Sequence, residues 1–259
     1  MASAAKPARV LVMDWDETIT RKDTTFLVAQ AASGRNSGPS FSHYTRVYMD
    51  AYEKYNSKWG ARKTVEEETE YHRGMREVEM SSISALERDG YFKGISRSDI
   101  AAQAKKVELA SGFRELVEHV QKNWHPLYIL SVNWSVTLIE EALRLAKIPG
   151  IKVLANELEF DENGKATGQF DRSLDIRTGY DKVQQLAKIR NCHPNSQVIY
   201  VGDSSGDVLP IVDADVGIVI EGGRGKAQLE KLGIPVRQLE FLDKGRTFEA
   251  SWETLLHRW

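Results

Sequence analysis

The chain contains only one cysteine, Cys192, among its 259 residues. A disulfide within the chain is therefore excluded, and such cysteine usage is typical of a reducing compartment. No apolar run approaches the roughly 20 residues that a membrane-spanning helix needs, and the first residues lack the long apolar segment of a secretory signal. We therefore expect a cytoplasmic protein without a membrane partner.

The chain also lacks an excess of charge of either sign. Its net charge is -2 and its pI is about 6.3, so no basic field indicates a nucleic-acid partner. Hydrophobic residues make up 41% and charged residues 28% of the chain, which is typical of a globular domain. The length is compatible with one large domain or with a core that carries an inserted second domain.

Strand and helix patterns alternate along most of the chain, which predicts a doubly wound parallel α/β sheet of the Rossmann-like type. One long segment, residues 23–109, shows helical patterns and no convincing strand. We predict that it forms an all-helical cap domain, while residues 1–22 and 110–259 form the α/β core. Asn163-Gly164 lies between two short strand patterns and predicts a hairpin. The strand patterns of the sheet cover residues 10–14, 126–131, 151–155, 197–203 and 216–220.

Two acidic residues, Asp14 and Asp16, follow the first strand pattern directly in the pentapeptide Asp14-Trp15-Asp16-Glu17-Thr18. The carboxyl ends of strands are where open α/β sheets bind their ligands. Since alternate residues of an extended chain point the same way, both carboxylates can face one site. One can then act as a nucleophile while the other donates and accepts a proton.

Polar residues also follow two later strand patterns. Ser131 and Asn133 follow the second strand, and Gly202-Asp203-Ser204-Ser205-Gly206-Asp207 ends the fourth. Lys182 lies near the start of the helix between them. Gly202 permits close approach of the backbone, and the carboxylates of Asp203 and Asp207, together with Asp14, predict an oxygen-lined Mg²⁺ site.

In this order, these motifs resemble the four motifs of the haloacid dehalogenase-like (HAD) phosphohydrolase superfamily. The resemblance covers about residues 8–22 and 110–240, and it implies a helical cap of the C1 type after the first motif. It implies that Asp14 is the nucleophile that forms an aspartyl-phosphate and that Asp16 is the general acid and base. Ser131 and Lys182 would bind the phosphoryl oxygens.

The same resemblance implies how Mg²⁺ is held. Asp14 and Asp203 would bind the ion directly, Asp16 would contribute its carbonyl oxygen, and Asp207 would bind or orient the ion from behind. The implied activity is Mg²⁺-dependent hydrolysis of a small phosphorylated metabolite. A haloacid dehalogenase shares the aspartyl-ester chemistry, but it needs no metal and generally lacks an acid at the Asp16 position. The presence of Asp16 and Asp203 therefore argues against that activity.

A closer resemblance is to the HAD domain of plant-type thiamin monophosphate phosphatases. It rests on residues 153–157, 198–207 and 214–220, and it makes thiamin monophosphate a candidate substrate. Several alternatives stay open at this point: a phosphoserine phosphatase, which shares the cap type, a sugar-phosphate phosphatase, and a phosphomutase. A binding or regulatory protein on the same scaffold is a further alternative, although such proteins usually lose a motif. The oligomeric state is not predicted.

Substrate-binding residues are predicted less directly than catalytic ones. Tyr44 and Tyr48 belong to a stripe of aromatic residues at helical spacing, which either forms an aromatic wall for a flat cationic substrate or packs inside the cap. Packing is the commoner role of such a stripe. The full set of candidates also includes residues near strand ends: Thr18, Asn133, Trp134 and Glu157.

Overall fold

The computed structural model describes residues 8–35, 38–242 and 246–259. The strands are β1 (Ala8–Met13), β2 (Leu127–Leu130), β3 (Lys152–Leu154), β4 (Leu158–Phe160), β5 (Ala166–Phe170), β6 (Ser196–Gly202), β7 (Val216–Ile220), β8 (Val236–Gln238) and β9 (Arg246–Ala250). The α-helices are α1 (Thr25–Ala32), α2 (Phe41–Asn56), α3 (Val65–Arg88), α4 (Arg97–Ala101), α5 (Phe113–Lys122), α6 (Val136–Leu145), α7 (Gly179–Cys192), α8 (Val208–Asp213), α9 (Gly225–Lys231) and α10 (Trp252–Arg258). Two 3₁₀ helices cover Ala102–Lys106 and Ser205–Asp207.

Seven strands form one parallel sheet in the order β3-β2-β1-β6-β7-β9-β8. The central strand β1 is fully buried from Val10 to Met13, as its uninterrupted apolar run requires for a strand covered on both faces. Side chains alternate along it: Val10 and Val12 pack with α7, α8 and α9, whereas Leu11 and Met13 pack with α5, α6 and α10. The predicted doubly wound α/β fold is therefore confirmed.

The strand order places a crevice beside the end of β1. The chain proceeds from β1 to β2 and β3 on one side and then crosses to β6 and β7 on the other. At such a switch point the loops diverge to opposite faces of the sheet and leave room for a ligand. Asp14 lies at this point because it follows the last residue of β1.

The predicted strands and hairpin all form, with ends shifted by a few residues. The hairpin strands β4 and β5 pair with each other in antiparallel fashion, outside the main sheet. The prediction omitted β8 and β9, because their short mixed sequences carry no clear apolar alternation. It also omitted α1, which the structure places in the long helical segment.

Within the described part of residues 23–109, the chain forms helices and no strand of either sheet. Helices α2 and α3 pack through an aromatic cluster that includes Tyr52, Tyr55 and Tyr71. The two chain segments that flank these helices run side by side, since Thr20 forms an isolated bridge with Leu109. The exact division between core and cap stays a prediction. None of the helices in the described residues combines the length and apolarity needed to cross a membrane.

Candidate active site

The carboxyl edge of the sheet gathers the predicted catalytic residues. Asp14, Ser131 and Asp203 each follow the last residue of a strand, namely β1, β2 and β6. Lys182 lies in the first turn of α7. That helix begins at a capping box in which Thr178 accepts a hydrogen bond from the Asp181 amide, so the start of the helix, and with it Lys182, is held in place.

Lys182 connects two acids at the centre of the site. Its side chain is 2% exposed, and its Nζ donates hydrogen bonds of 2.7 Å to both Asp14 Oδ1 and Asp207 Oδ1. Burial acts to lower the pKa of Lys182, but attraction by the two carboxylates prevails and raises it. Lys182 is therefore a permanent cation beside the predicted nucleophile.

Asp207 is fully buried and its carboxylate is saturated with donors. Tyr200 donates to Oδ1 at 2.7 Å, while the amide and hydroxyl of Ser204 donate to Oδ2 at 3.1 and 2.9 Å. Burial acts to raise the pKa of Asp207, but Lys182 and these donors lower it. Asp207 therefore stays ionised and fixes both Lys182 and the turn after β6.

Asp203 faces the same site from the end of β6. Thr18 donates a hydrogen bond of 3.1 Å to its Oδ1. Thr18 therefore positions Asp203, and it is not part of the cavity lining. Burial and repulsion by Asp207 raise the pKa of Asp203 to about 6. Burial and the same repulsion raise the pKa of Asp14 as well. Burial and the neighbouring acids therefore outweigh the cations beside these two carboxylates, Lys182 at Asp14 and Arg224 at Asp203.

This donor set fits a divalent cation. Oxygen atoms of Asp14, Asp203 and Asp207 all lie within 4.8 Å of one another. Lys182 pairs with Asp14 and Asp207, and the largely exposed Arg224 lies 3.4 Å from Asp203. A bound cation would further relieve the repulsion that contributes to the raised pKa of Asp14 and of Asp203. Since the oxygens of Asp207 already accept several protein hydrogen bonds, Asp14 and Asp203 are the better direct ligands. The contribution of the Asp16 carbonyl oxygen stays a prediction.

Asp16 borders the cavity, and hydrogen bonds from Thr24 and Asn133 hold its carboxylate in place. Its Oδ1 accepts hydrogen bonds from the amide and hydroxyl of Thr24 at 2.7 and 2.6 Å, and its Oδ2 accepts one from Asn133 Nδ2 at 2.8 Å. Burial and repulsion by Asp23 raise the pKa of Asp16 to about 6, although these donors oppose the shift. A carboxyl group with such a pKa can both give and take a proton near neutral pH.

Ser131 and Asn133 are both fully buried beneath the cavity. Ser131 Oγ accepts a hydrogen bond of 3.0 Å from the Asn133 amide, and neither residue is part of the cavity lining. Asn133 therefore positions Asp16 instead of lining the cavity as a substrate-binding residue. The predicted contact between Ser131 and a phosphoryl oxygen stays a prediction.

The cavity above these residues has two compartments that share part of their walls. The inner compartment, of about 350 Å³, is bordered by Asp14, Asp16, Lys182 and Asp203 and, from α3, by His72 and Met75. The outer compartment, of about 340 Å³, lies between α2 and the loop after β2. Residues shared by the two compartments are Asp23, Tyr48, Glu79, Val132 and Arg177.

The cap tyrosines have different surroundings. Tyr48 borders both compartments, donates to Glu79 Oε1 at 3.1 Å and stacks on Tyr52. Tyr44 borders the outer compartment, but it is almost fully buried and donates to Asp89. The stripe of tyrosines thus both packs the cap and contributes to the cavity wall.

Trp134 and Glu157 were both predicted to bind substrate, and the structure separates them. Trp134 borders the outer compartment. Glu157 instead turns toward the start of α6, where it accepts hydrogen bonds from the amide and hydroxyl of Thr137 at 2.8 and 2.6 Å and from Ser135 Oγ at 3.0 Å. A carboxylate at a helix N-terminus is stabilised by the unpaired amides, which explains why Glu157 lies outside the cavity lining.

Several residues of the cavity wall were not predicted from the sequence, and Arg177 and Glu79 are two of them. Arg177 directly precedes Thr178, the first residue of the capping box, so that pattern could have placed it at the carboxyl edge. Glu79 lies on α3 at helical spacing from His72 and Met75. An acid within an otherwise apolar helix face is the signal that could have identified Glu79.

Comparisons with known proteins agree with this geometry. Residues 11–209 match the family described as haloacid dehalogenase-like hydrolase. Among curated proteins, Cold tolerance protein 1 of Saccharomyces cerevisiae is 28% identical, and the match covers 78% of this chain and 75% of that protein. The Bifunctional TH2 protein, mitochondrial, of Arabidopsis thaliana is 27% identical over 56% of this chain, which corresponds to 25% of that protein.

A solved structure of phosphoserine phosphatase, described as a phospho-aspartyl intermediate analogue, has the same fold. It covers 87% of this chain and 91% of its own, with a TM-score of 0.55 and 16% sequence identity. At that identity the likeness concerns the fold alone.

Proposed function

This chain belongs to the haloacid dehalogenase-like hydrolase family, and we propose that it is a Mg²⁺-dependent phosphatase that hydrolyses the phosphomonoester of a small metabolite. One observation carries the proposal. The buried carboxylate of Asp14 is paired with Lys182, while Asp16, whose pKa is about 6, stands two residues away at the same cavity. This is the arrangement of a nucleophile beside a proton carrier.

The first step transfers the phosphoryl group to the protein. Asp14 Oδ1 is bonded to Lys182, whereas Oδ2 accepts no hydrogen bond from the described residues, so Oδ2 is the attacking oxygen. A bond forms between this oxygen and phosphorus, and the bond from phosphorus to the leaving oxygen breaks. Asp16 gives its proton to that oxygen, and Lys182 stabilises the charge on the transferred group.

The second step releases phosphate. Asp16, now a carboxylate, takes a proton from a water molecule, whose oxygen attacks phosphorus. The bond between phosphorus and Asp14 breaks, and both acids return to their starting states. Thr24 and Asn133 keep Asp16 in place through both steps because each donates to its carboxylate.

Mg²⁺ would be held by Asp14 and Asp203, with Asp207 fixing their surroundings. When bound, it would supply positive charge that offsets the repulsion between the phosphate and the acids. The raised pKa values of Asp14 and Asp203 support this part of the proposal, because burial and the neighbouring acid Asp207 disfavour their ionised forms and a bound cation would offset both effects.

Thiamin monophosphate is the candidate substrate that we propose first. The resemblance of this chain to plant-type thiamin monophosphate phosphatases supports it, and so does the match to the Arabidopsis TH2 protein. Phosphoserine is the competing candidate, since the fold is shared with phosphoserine phosphatase. Parallel assays of the two esters decide between them, and a tenfold difference in kcat/KM corresponds to about 1.4 kcal/mol of transition-state binding.

The test of the phosphatase proposal uses p-nitrophenyl phosphate, a generic aryl ester that does not depend on a specific leaving-group site. We expect Mg²⁺-dependent release of phosphate that stops with EDTA and returns when Mg²⁺ is added back. Asp14→Asn should abolish turnover and leave the circular dichroism spectrum unchanged, because an amide is a far weaker nucleophile.

Arg46→Met is the matched control, because Arg46 is exposed on α2 and is not part of the cavity lining. It should retain the wild-type rate. Full activity in metal-free buffer would contradict the metal requirement, and near-normal turnover of Asp14→Asn would contradict the covalent route.

A further inference from the structure

Arg224 reaches the cavity from a loop that contributes no catalytic residue. It directly precedes α9 and borders the inner compartment, and its side chain is 68% exposed. Its Nη2 lies 3.4 Å from Asp203 Oδ2 and also donates a hydrogen bond to Glu17 Oε2. One guanidinium group therefore contacts two acids at the edge of the site.

The backbone of this loop packs tightly against the turn after β6. The amide of Gly225 donates to the carbonyl oxygen of Asp203 at 2.7 Å. A Cβ atom on Gly223 would lie 2.8 Å from that carbonyl oxygen, and one on Gly225 would lie 2.8 Å from the carbonyl oxygen of Ser204. Such close approach of two backbones requires glycine. The backbone of Arg224, which lies between these glycines, is therefore fixed relative to Asp203 although its side chain is exposed.

The two carboxylate oxygens of Asp203 have different partners. Oδ1 accepts the hydrogen bond from Thr18, whereas Oδ2 accepts only the contact from Arg224 among the described residues. Oδ2 is therefore the freer oxygen for Mg²⁺, and it is also the oxygen beside the guanidinium group. Two cations at one carboxylate oxygen repel each other. Arg224 in this position therefore weakens the binding of Mg²⁺ by Asp203.

Glu17 provides a second acceptor for the same guanidinium group. Its side chain is 42% exposed and pairs with Arg224. Its φ of 59° is a left-handed backbone conformation that is uncommon for residues other than glycine, and its amide donates to Thr20 Oγ1 at 3.1 Å. The turn after Asp16 thus adopts a strained conformation in which Glu17 meets Arg224. Because Glu17 and Asp203 share one guanidinium group, each weakens the contact that the other makes.

We propose that Arg224 is a positioning residue that competes with Mg²⁺ for Asp203, and that Glu17 holds Arg224 back from this carboxylate. Arg224 and Glu17 together set the affinity of the site for the ion. The inference rests on the proposed function in one respect, because it takes Asp203 as a ligand of Mg²⁺.

Calorimetric titration of the protein with MgCl₂, in the absence of any substrate, tests the inference. Each protein is freed of metal with EDTA, the EDTA is removed, and the titration is done at about 0.15 M salt, where distant charges are screened. Arg224→Met should lower the dissociation constant for Mg²⁺ at least about threefold, because it removes a positive charge from Asp203. Glu17→Ala should raise that constant by a similar factor, because Arg224 then has Asp203 as its remaining partner.

A double variant and a charge control complete the experiment. Adding Glu17→Ala to Arg224→Met should change the dissociation constant by less than about twofold, since Glu17 acts through Arg224. Lys226→Met is the matched control. It removes the same charge two residues away, but Lys226 pairs with Glu249 at 2.7 Å and is not part of the cavity lining, so this variant should bind Mg²⁺ as wild type does. Thermal melting in EDTA verifies that each variant is folded.

The outcomes separate this inference from the proposed function. Equal or weaker Mg²⁺ binding by Arg224→Met would overturn the inference even if the protein hydrolyses p-nitrophenyl phosphate. An equal effect of Glu17→Ala with and without Arg224 would also overturn it, because Glu17 would then act on the ion directly. The expected changes in Mg²⁺ affinity in a protein without phosphatase activity would support the inference and overturn the proposed function.

A kinetic measurement tests the competing role of Arg224. A raised KM for p-nitrophenyl phosphate in Arg224→Met, with unchanged affinity for Mg²⁺, would show that Arg224 binds the phosphate group and would overturn the inference. We expect instead that Arg224→Met reaches half of its maximal rate at a lower Mg²⁺ concentration than wild type does.

Discussion

At the scale of single residues, the site depends on a position where no side chain fits. A Cβ atom on Gly202 would overlap the side chain of Asp207, which is buried and bonded to Lys182 and Tyr200. A shift of Asp207 would therefore disturb its hydrogen bonds with Lys182 and Tyr200. Gly202 ends β6, and because it has no Cβ the backbone there can lie against the side chain of Asp207.

We predict that Gly202→Ala disturbs the site without changing the fold. Displacement of Asp207 should move Lys182 away from Asp14, so kcat/KM on an aryl phosphate should fall at least tenfold, and overpacking should cost about 1–3 kcal/mol of stability. Phosphate release and urea unfolding measure the two effects. Gly60→Ala is the control, because a Cβ there would meet no atom within 4 Å; an equal loss in both variants would contradict the prediction.

At the scale of elements, helix α3 carries both the cap core and a cavity wall. Val78 packs against α2, and His72 and Glu79 border the cavity. Tyr71 and Met75 do both. Burial raises the pKa of Glu79 to about 7 from an ordinary value of 4.5, although Tyr48 and Arg177 oppose the shift. The folded protein therefore holds this proton more tightly than the unfolded chain does.

That shift predicts a pH-dependent stability. A raised carboxyl pKa favours the folded state below the ordinary pKa, and this contribution is lost as pH rises through about 7. Glu79→Gln stays neutral at every pH, so relative to wild type it should gain about 1–3 kcal/mol of unfolding free energy between pH 5 and pH 8.5. Urea unfolding in EDTA at both pH values gives the difference.

Exposed Glu77 supplies the control for this measurement. Glu77→Gln should differ from wild type by the same amount at both pH values, to within about 0.5 kcal/mol. A pH-independent difference between wild type and Glu79→Gln would show that Glu79 titrates normally and does not lie in a buried wall.

At the scale of the whole molecule, polar contacts join the helices of residues 23–109 to the rest of the protein. Arg76 of α3 pairs with Asp175 and with Asp181, the latter at 3.0 Å. Gln228 of α9 donates to Glu68 of α3 at 2.7 Å. The pairs of Arg76 are partly exposed and can be broken at little cost, whereas Glu68 is fully buried. Partly exposed pairs suit helices that must admit a substrate and then exclude bulk water.

We predict that Arg76→Met increases the local opening of α3 without affecting the central strands. Global stability should change by less than about 1 kcal/mol, because the ion pairs of Arg76 are partly exposed. Amide hydrogen exchange should accelerate in α3, while β1 and β6 should exchange as slowly as in wild type. Arg46→Met on α2 should leave both regions unchanged. Faster exchange in the central strands would mean that the pairs hold the core itself.

The sequence alone determined most of the elements, although not α1, β8 and β9, and the order of the catalytic motifs. An apolar run such as Val10–Met13 identifies a buried strand because burial on both faces leaves no place for a polar side chain. Helical spacing identifies α2 and α3 for a similarly local reason. Since parallel strands share one carboxyl edge, the convergence of Asp14, Lys182 and Asp203 follows from their positions after or between those strands.

Only the tertiary structure decided which of the remaining polar residues meet. Glu157 and Trp134 looked alike in sequence, yet one caps α6 and the other borders the outer compartment. Arg177 and Glu79 lie far apart in the chain, and no local pattern connects them. Both border the same cavity because α3 packs over the loop before α7. That packing is set by many weak contacts distributed over the whole chain, which no short segment encodes.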